Sequence, residues 1–221
     1  MDWTALEISL RLAFWTCLLL LPLATFTGRW LAWTRFRGKG LVEALVMLPL
    51  VLPPTVLGYY LLVAFGAGST LGPAVESVLG RGLVFTFEGL VLASVLANLP
   101  FAVQPLQRAF QAIPVEVREA AWCSGLSAWR AFWRVEIRLA VPGLLSALGL
   151  TFAHTLGEFG VVLMVGGSIP GETRTVAIAI YDRVQAFDNL AAGTMAAFLL
   201  ALSTVVIGGV YLAAEPRLRR R

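Results

Sequence analysis

The sequence predicts an all-α polytopic membrane protein, and three features predict it: an apolar composition, long runs without formal charge, and basic residues gathered between those runs. Of 221 residues, 58% are hydrophobic and only 14% are charged, whereas soluble domains are about a quarter charged. A globule of this size cannot hide so much apolar surface from water. Residues 12–28, 44–75, 89–107, 139–157 and 190–214 contain no Asp, Glu, Lys or Arg. Each run meets or approaches the roughly twenty residues that a bilayer-spanning helix needs. Five transmembrane helices in a single domain, residues 1–221, are therefore expected.

Taken in order, the first run reads as one helix. The second, 44–75, exceeds one span, and Gly66, Gly68, Gly72 and Pro73 break its second half. It predicts one helix over roughly 43–65, followed by a loop. Pro49, Pro53 and Pro54 remove backbone hydrogen bonds there and should kink it, and Gly58 permits close packing. Such a kink reads either as a flexing point of a pathway or as a static bend held by neighbouring helices. The third run carries Asn98. The fourth is loosened by Gly143, Gly149 and Gly157, with Gly160 beyond, or uses them to admit a partner helix. The fifth is uninterrupted.

Basic residues set the expected orientation. With the N-terminus outside, Arg29, Arg35, Arg37, Lys39, Arg108, Arg118, Arg130, Arg134, Arg138, Arg217, Arg219, Arg220 and Arg221 face the cytoplasm. Only Arg11, Arg81, Arg174 and Arg183 remain outside. The positive-inside rule selects this N-out, C-in arrangement. Positive charge follows the first run and does not precede it, which argues against a cleaved signal peptide. The net charge of +4 thus needs no nucleic acid; it suits anionic lipid on the inner face. Cys17 and Cys123 fall at different depths, so no disulfide is expected.

Between the third and fourth runs lies a charged segment, 108–138, too short for a domain. Pro114 bounds a helix whose first turns carry Glu116 and Glu119, where negative charge suits the dipole. Ala120 and Ala121 are small enough for a partner to approach closely. Gly125 breaks the helix, and Ser127 is placed to cap the next. On that second helix Arg130, Arg134 and Arg138 form a basic stripe, with Trp129, Phe132, Trp133 and Ile137 on other faces. The segment reads as an elbow that hands work to another protein, or as an amphipathic loop resting on lipid.

Glu119-Ala120-Ala121, three residues, then Gly125 resembles the EAA loop of ABC-transporter permeases. Val135, Glu136, Ile137 and Arg138 stand where that family has Ile-x-Leu-Pro, so its Pro is missing, although Pro142 follows. LPLVLPPTVLGYYLL (48–62), GEFG (157–160) and IPGETRT (169–175) resemble molybdate permeases. The resemblance implies the type I ABC importer (MetI-like) permease fold in the cell membrane, with five helices per subunit and two subunits forming the pore. It implies Glu119, Ala120, Ala121 and Gly125 as the surface that docks on two ATP-hydrolysing subunits. It implies a periplasmic or lipid-anchored molybdate-binding protein and, most simply, a second copy of this chain as partners. Tungstate is the neighbouring cargo, and sulfate or thiosulfate permeases share the architecture.

Pathway or gate candidates are Pro53, Pro54, Thr55, Gly58, His154, Glu158 and Arg174. His154 and Glu158, four apart, share a face of the fourth helix and read as a gate or as a structural pair near the outer interface. A carboxylate repels a dianion at low dielectric, so Glu158 is expected to be tied to Arg174 or Arg183. Asn98, Thr151 and Thr155 are milder polar candidates. Arg81, Arg174 and Arg183 either draw an anion to the outer mouth or pair with Glu172, Asp182 and Asp188. One His, no metal-spaced Cys/His cluster and no phosphate-cradling Gly-rich loop point to no catalytic set, metal or cofactor. A channel and an intramembrane enzyme are the competing classes, and neither needs a coupling helix.

Overall fold

The computed structural model describes residues 1–218, with side chains at all of them except Leu79 and residues 214–218. Arg219, Arg220 and Arg221, expected at the cytoplasmic face, lie outside the described residues, as does the side chain of Arg217. The described residues are helical, with no strand among them. In chain order they form α1 (Trp3–Trp33), α2 (Lys39–Val51), α3 (Pro54–Phe65), α4 (Leu71–Leu79), α5 (Phe87–Ala97) and α6 (Leu99–Gln111). Then come α7 (Val115–Cys123), α8 (Ala128–Ala131), a π-helical turn (Phe132–Glu136), α9 (Ile137–Gly157), α10 (Gly160–Gly166), α11 (Val176–Gln185) and α12 (Asn189–Leu218).

Helix α1 shows what its solvent is. Asp2 caps it, its Oδ1 accepting from the Ala5 amide at 3.0 Å. One face buries Leu12, Ala13, Leu20, Ala24 and Leu31, while Phe14, Leu18, Leu19, Leu23 and Phe26 on the rest remain exposed. A helix apolar all round but packed on one side presents the remainder to lipid. Trp3–Trp33, Ala128–Gly157 and Asn189–Ala213 are each long and apolar enough to cross a membrane. Two bent pairs, α2 with α3 and α5 with α6, bring the total to as many as five spans.

Three expectations change. The single helix over 43–65 is two helices, bent by 110° at Leu52 and Pro53. Each of these residues precedes a proline, and the pyrrolidine ring drives its predecessor out of the helical region. Both are extended, with ψ of 139° and 135°. The third run is also broken, by 43°, at Asn98, where Pro100 sits in the first turn of α6. Lastly, the second half of the charged segment is not a separate surface helix. Ser127 caps α8 as expected, accepting from the Arg130 amide at 3.4 Å, but the chain continues through the π turn into α9 as one span.

The core lies where α1, α6 and α9 meet, with Leu20, Leu31, Val103, Leu106, Phe110 and Phe132 buried in it. Gly143 lets α9 close on α6, since a Cβ there would stand 2.9 Å from the Pro105 carbonyl oxygen. Ion pairs fix which loops share an end. Arg174 lies 3.9 Å from Asp2, so the loop before α11 sits at the N-terminal end of α1. Arg29 and Glu136, 2.7 Å apart, place the π turn at the other end, and Arg118, 3.7 Å from Glu136, brings α7 there. Both cysteines are free, Cys17 buried in α1 and Cys123 exposed at the end of α7.

Candidate functional site

Two places hold most of the site candidates. The first is α7. Pro114 precedes its first residue, and Glu116 lies in its first turn. Glu116, Glu119, Ala120, Trp122 and Cys123 are exposed, while Ala121 is buried. Its C-terminus is closed by paired reverse bonds: Leu126 N–H donates to the Ala121 carbonyl at 3.2 Å and Gly125 N–H to that of Trp122 at 2.9 Å. This closure needs a left-handed residue, and Gly125 supplies it with φ of +79°. No atom lies within 4 Å of where a Gly125 Cβ would stand, so backbone handedness rather than space demands glycine.

Behind α7 is a buried charge cluster that the sequence did not announce. Glu136, 1% exposed, accepts from Arg29 Nε at 2.7 Å and Nη2 at 3.3 Å. Arg118 of α7 brings its Nε to 3.7 Å from Oε1, the oxygen that also accepts from Arg29 Nη2. Both guanidiniums lie over the Trp33 ring, at 3.6 Å for Arg118 and 4.8 Å for Arg29. Burial lowers Arg118 from its usual range; Glu136 raises it and Arg29 lowers it further. By contrast Arg130, Arg134 and Arg138 are exposed, as a basic stripe requires.

The second place is a cavity of about 420 Å³ at which three helix breaks converge. Its walls include Pro54 and Thr55 after the first break, Ala97 and Phe101 on either side of the second, and His154, Glu158 and Gly160 around the third. Broken helices at membrane depth are tolerated where they are buried or line a cavity. Asn98, fully buried, joins the polar groups. Its amide donates to the Ser94 carbonyl at 2.8 Å and to Glu158 Oε2 at 3.4 Å. Its Oδ1 therefore accepts, and His154 Nδ1 at 3.0 Å carries the ring proton. Ser94 also donates to Glu158, at 3.3 Å, and Phe101 stacks on His154 with centroids 4.0 Å apart.

Of the pathway candidates, Pro54, Thr55, His154 and Glu158 line this cavity, and Pro53 forms the break beside it. Gly58 does not; it lets α3 close on α10, a Cβ there falling 2.7 Å from Met164 Cβ. Nor are Thr151 and Thr155 among the lining residues. Glu158 caps α9 instead of lying on it, so it meets His154 through Asn98 and not along one helical face. It is not tied to arginine either. Arg174 pairs with Asp182 at 3.0 Å, Arg183 with Asp188 at 3.3 Å, and Arg81 with Glu88. These three arginines are thus paired with acids rather than held open for an anion.

From residue 21 to residue 220 the sequence matches the family described as binding-protein-dependent transport system inner membrane component. The chain belongs to that family. It is a multi-pass inner-membrane permease subunit, not an enzyme. It is 49% identical over 211 residues to the molybdenum transport system permease protein ModB of Azotobacter vinelandii, covering 95% of this chain and 93% of that one. The Haemophilus influenzae protein of the same name is 38% identical, with 84% and 81% covered. A probable sulfate transport system permease protein of Zygnema circumcarinatum is 32% identical, with 91% and 72% covered. Among solved structures, a bacterial ABC transporter involved in alginate import matches with a TM-score of 0.77 over 96% of this chain and 78% of that chain. At 15% identity that likeness speaks for the fold, the ABC importer permease fold expected from the EAA loop.

Proposed function

We propose that this chain is the pore-forming permease of an ATP-driven importer of molybdate, with tungstate as neighbouring cargo. Two copies enclose the pathway, the N-terminus faces outward, and the chain is one membrane domain whose 108–138 segment meets two ATPase subunits. A separate binding protein delivers the oxyanion to the outer end. The observation that carries the coupling half is α7: an exposed helix bearing Glu119 and Ala120, closed at Gly125, at the end of the molecule where the basic residues collect. Such a helix has no use in a channel or an intramembrane enzyme.

The cargo rests on kinship with molybdenum permeases at 49% and 38% identity. Sulfate is the second reading, favoured by the relative at 32%. The cavity between the helix breaks supports a pathway without tight binding. Ser94, Asn98 and His154 turn their hydrogen bonds to Glu158 or to one another, and the buried oxygen left without a hydrogen-bond partner, Glu158 Oε1, is an acceptor that an oxyanion cannot use, so selection falls to the binding protein. Reconstitution with cognate ATPase and binding protein tests this: molybdate should accumulate only with ATP and loaded binding protein. Equal accumulation of sulfate through the same binding protein would contradict the assignment.

A further inference from the structure

We infer that Glu136, with Arg29 and Arg118, is the joint through which movement of α7 reaches the spanning helices α1 and α9; it is a positioning residue for the coupling proposed above, on which this inference rests. One buried carboxylate serves two guanidiniums unequally. Arg29, on α1, holds both oxygens at hydrogen-bonding distance. Arg118, on α7, stands 3.7 Å from Oε1, an ion pair but beyond a hydrogen bond, and its buried Nε has no hydrogen-bond partner. A buried N–H without an acceptor is costly, and here the acceptor that would satisfy it is less than an ångström too far away. Helix α7 therefore has a second seat, with Arg118 drawn fully onto Glu136.

The surroundings guide that movement. Trp33 is pinned by its indole N–H to the Phe110 carbonyl at 3.2 Å, and its ring carries both guanidiniums. Arg118 also contacts Trp122 of its own helix, 5.2 Å from the ring centroid. A guanidinium is attracted to a ring while it lies within about 6 Å of the centroid, so Arg118, 3.6 Å from the Trp33 centroid, stays on that ring through a shift of less than an ångström. The π-helical turn Phe132–Glu136 ends at the carboxylate itself. A turn of this kind holds one residue more than α geometry needs, and such turns recur at functional sites. Tightening it would rotate Glu136 relative to α9, coupling the seat of α7 to the register of the span.

The test uses the full transporter in proteoliposomes, with ATP hydrolysis measured with and without loaded binding protein, and molybdate imported per ATP. Arg118→Gln leaves the Arg29–Glu136 pair in place and does not alter Glu119, Ala120 or Gly125. It should retain the ATPase subunits but lower both stimulation by the binding protein and molybdate per ATP by at least about fivefold, the lower end of ordinary coupling between sites. Arg118→Lys, which keeps the charge but not the fork, should recover part of the loss. Wild-type stimulation and stoichiometry in Arg118→Gln would overturn the inference, as would a defect explained wholly by lower complex yield. A wild-type complex that imports nothing with ATP would instead remove the underlying function, an outcome distinct from a variant that matches wild type.

Discussion

Asn98 holds the membrane-embedded polar cluster together, because it alone touches Ser94, His154 and Glu158. Asn98→Leu would leave the imidazole N–H unpaired and Glu158 with Ser94 only. Removing one partner from buried polar or charged groups costs about 2–5 kcal/mol. Thermal unfolding of the detergent-purified variant should show a loss of that size, and wild-type stability would refute the network. Gly125→Leu acts differently. Space is free, so the penalty is the roughly 1–2 kcal/mol of a left-handed non-glycine residue, charged to the closure of α7. The variant should insert normally and co-purify with less ATPase. His154 and Glu158 were legible as rare ionisable groups among apolar runs. Asn98 was legible as a polar candidate too, but not that it joins them from 56 and 60 residues away. Glu136 was illegible for the same reason: in sequence it is one acid in a basic segment, and only Arg29, 107 residues earlier, marks its environment as buried.

The break between α2 and α3 defines one wall of the cavity, and its cause is local. Pro53 and Pro54 place two successive residues before a proline, and neither can stay helical. That signal was present in the sequence, yet it reads as a kink because a single proline inside a helix, such as Pro49 within α2, only bends it. Replacing both with Ala in Pro53→Ala/Pro54→Ala should let α2 and α3 straighten from their 110° bend. Spin labels at the exposed positions Leu45 and Val63 should move apart, and uptake should fall. An unchanged distance would show that neighbouring helices, not the prolines, impose the bend. The elbow around α7 was legible in more detail, since Pro114, Gly125 and Ser127 each act through local backbone chemistry. The continuation of α8 into α9 was not, because the residues of the π turn meet α1 only in the fold, Phe132 on Phe26 and Glu136 on Arg29.

At the scale of the whole molecule, three of the five apolar runs fall on helices long enough to span and two on bent pairs, and the ion pairs now fix which loops share an end. Asp2 and Arg174 lie at one end, Arg29, Arg118 and Glu136 at the other. Reporter fusions after Gly40 and Gln111 should therefore report one compartment and fusions near Gly171 the opposite one. The positive-inside rule assigns the first to the cytoplasm. A cytoplasmic signal at Gly171 would invert the orientation and move α7 away from ATP.

Energy coupling to one class of cargo is the central claim, and uptake in proteoliposomes tests it most directly. The chain, its cognate ATPase and its binding protein should together accumulate labelled molybdate against a gradient, only while ATP is hydrolysed and only with the binding protein on the outer side. Molybdate that equilibrates without ATP, or equal uptake of an uncharged or cationic solute, would contradict it.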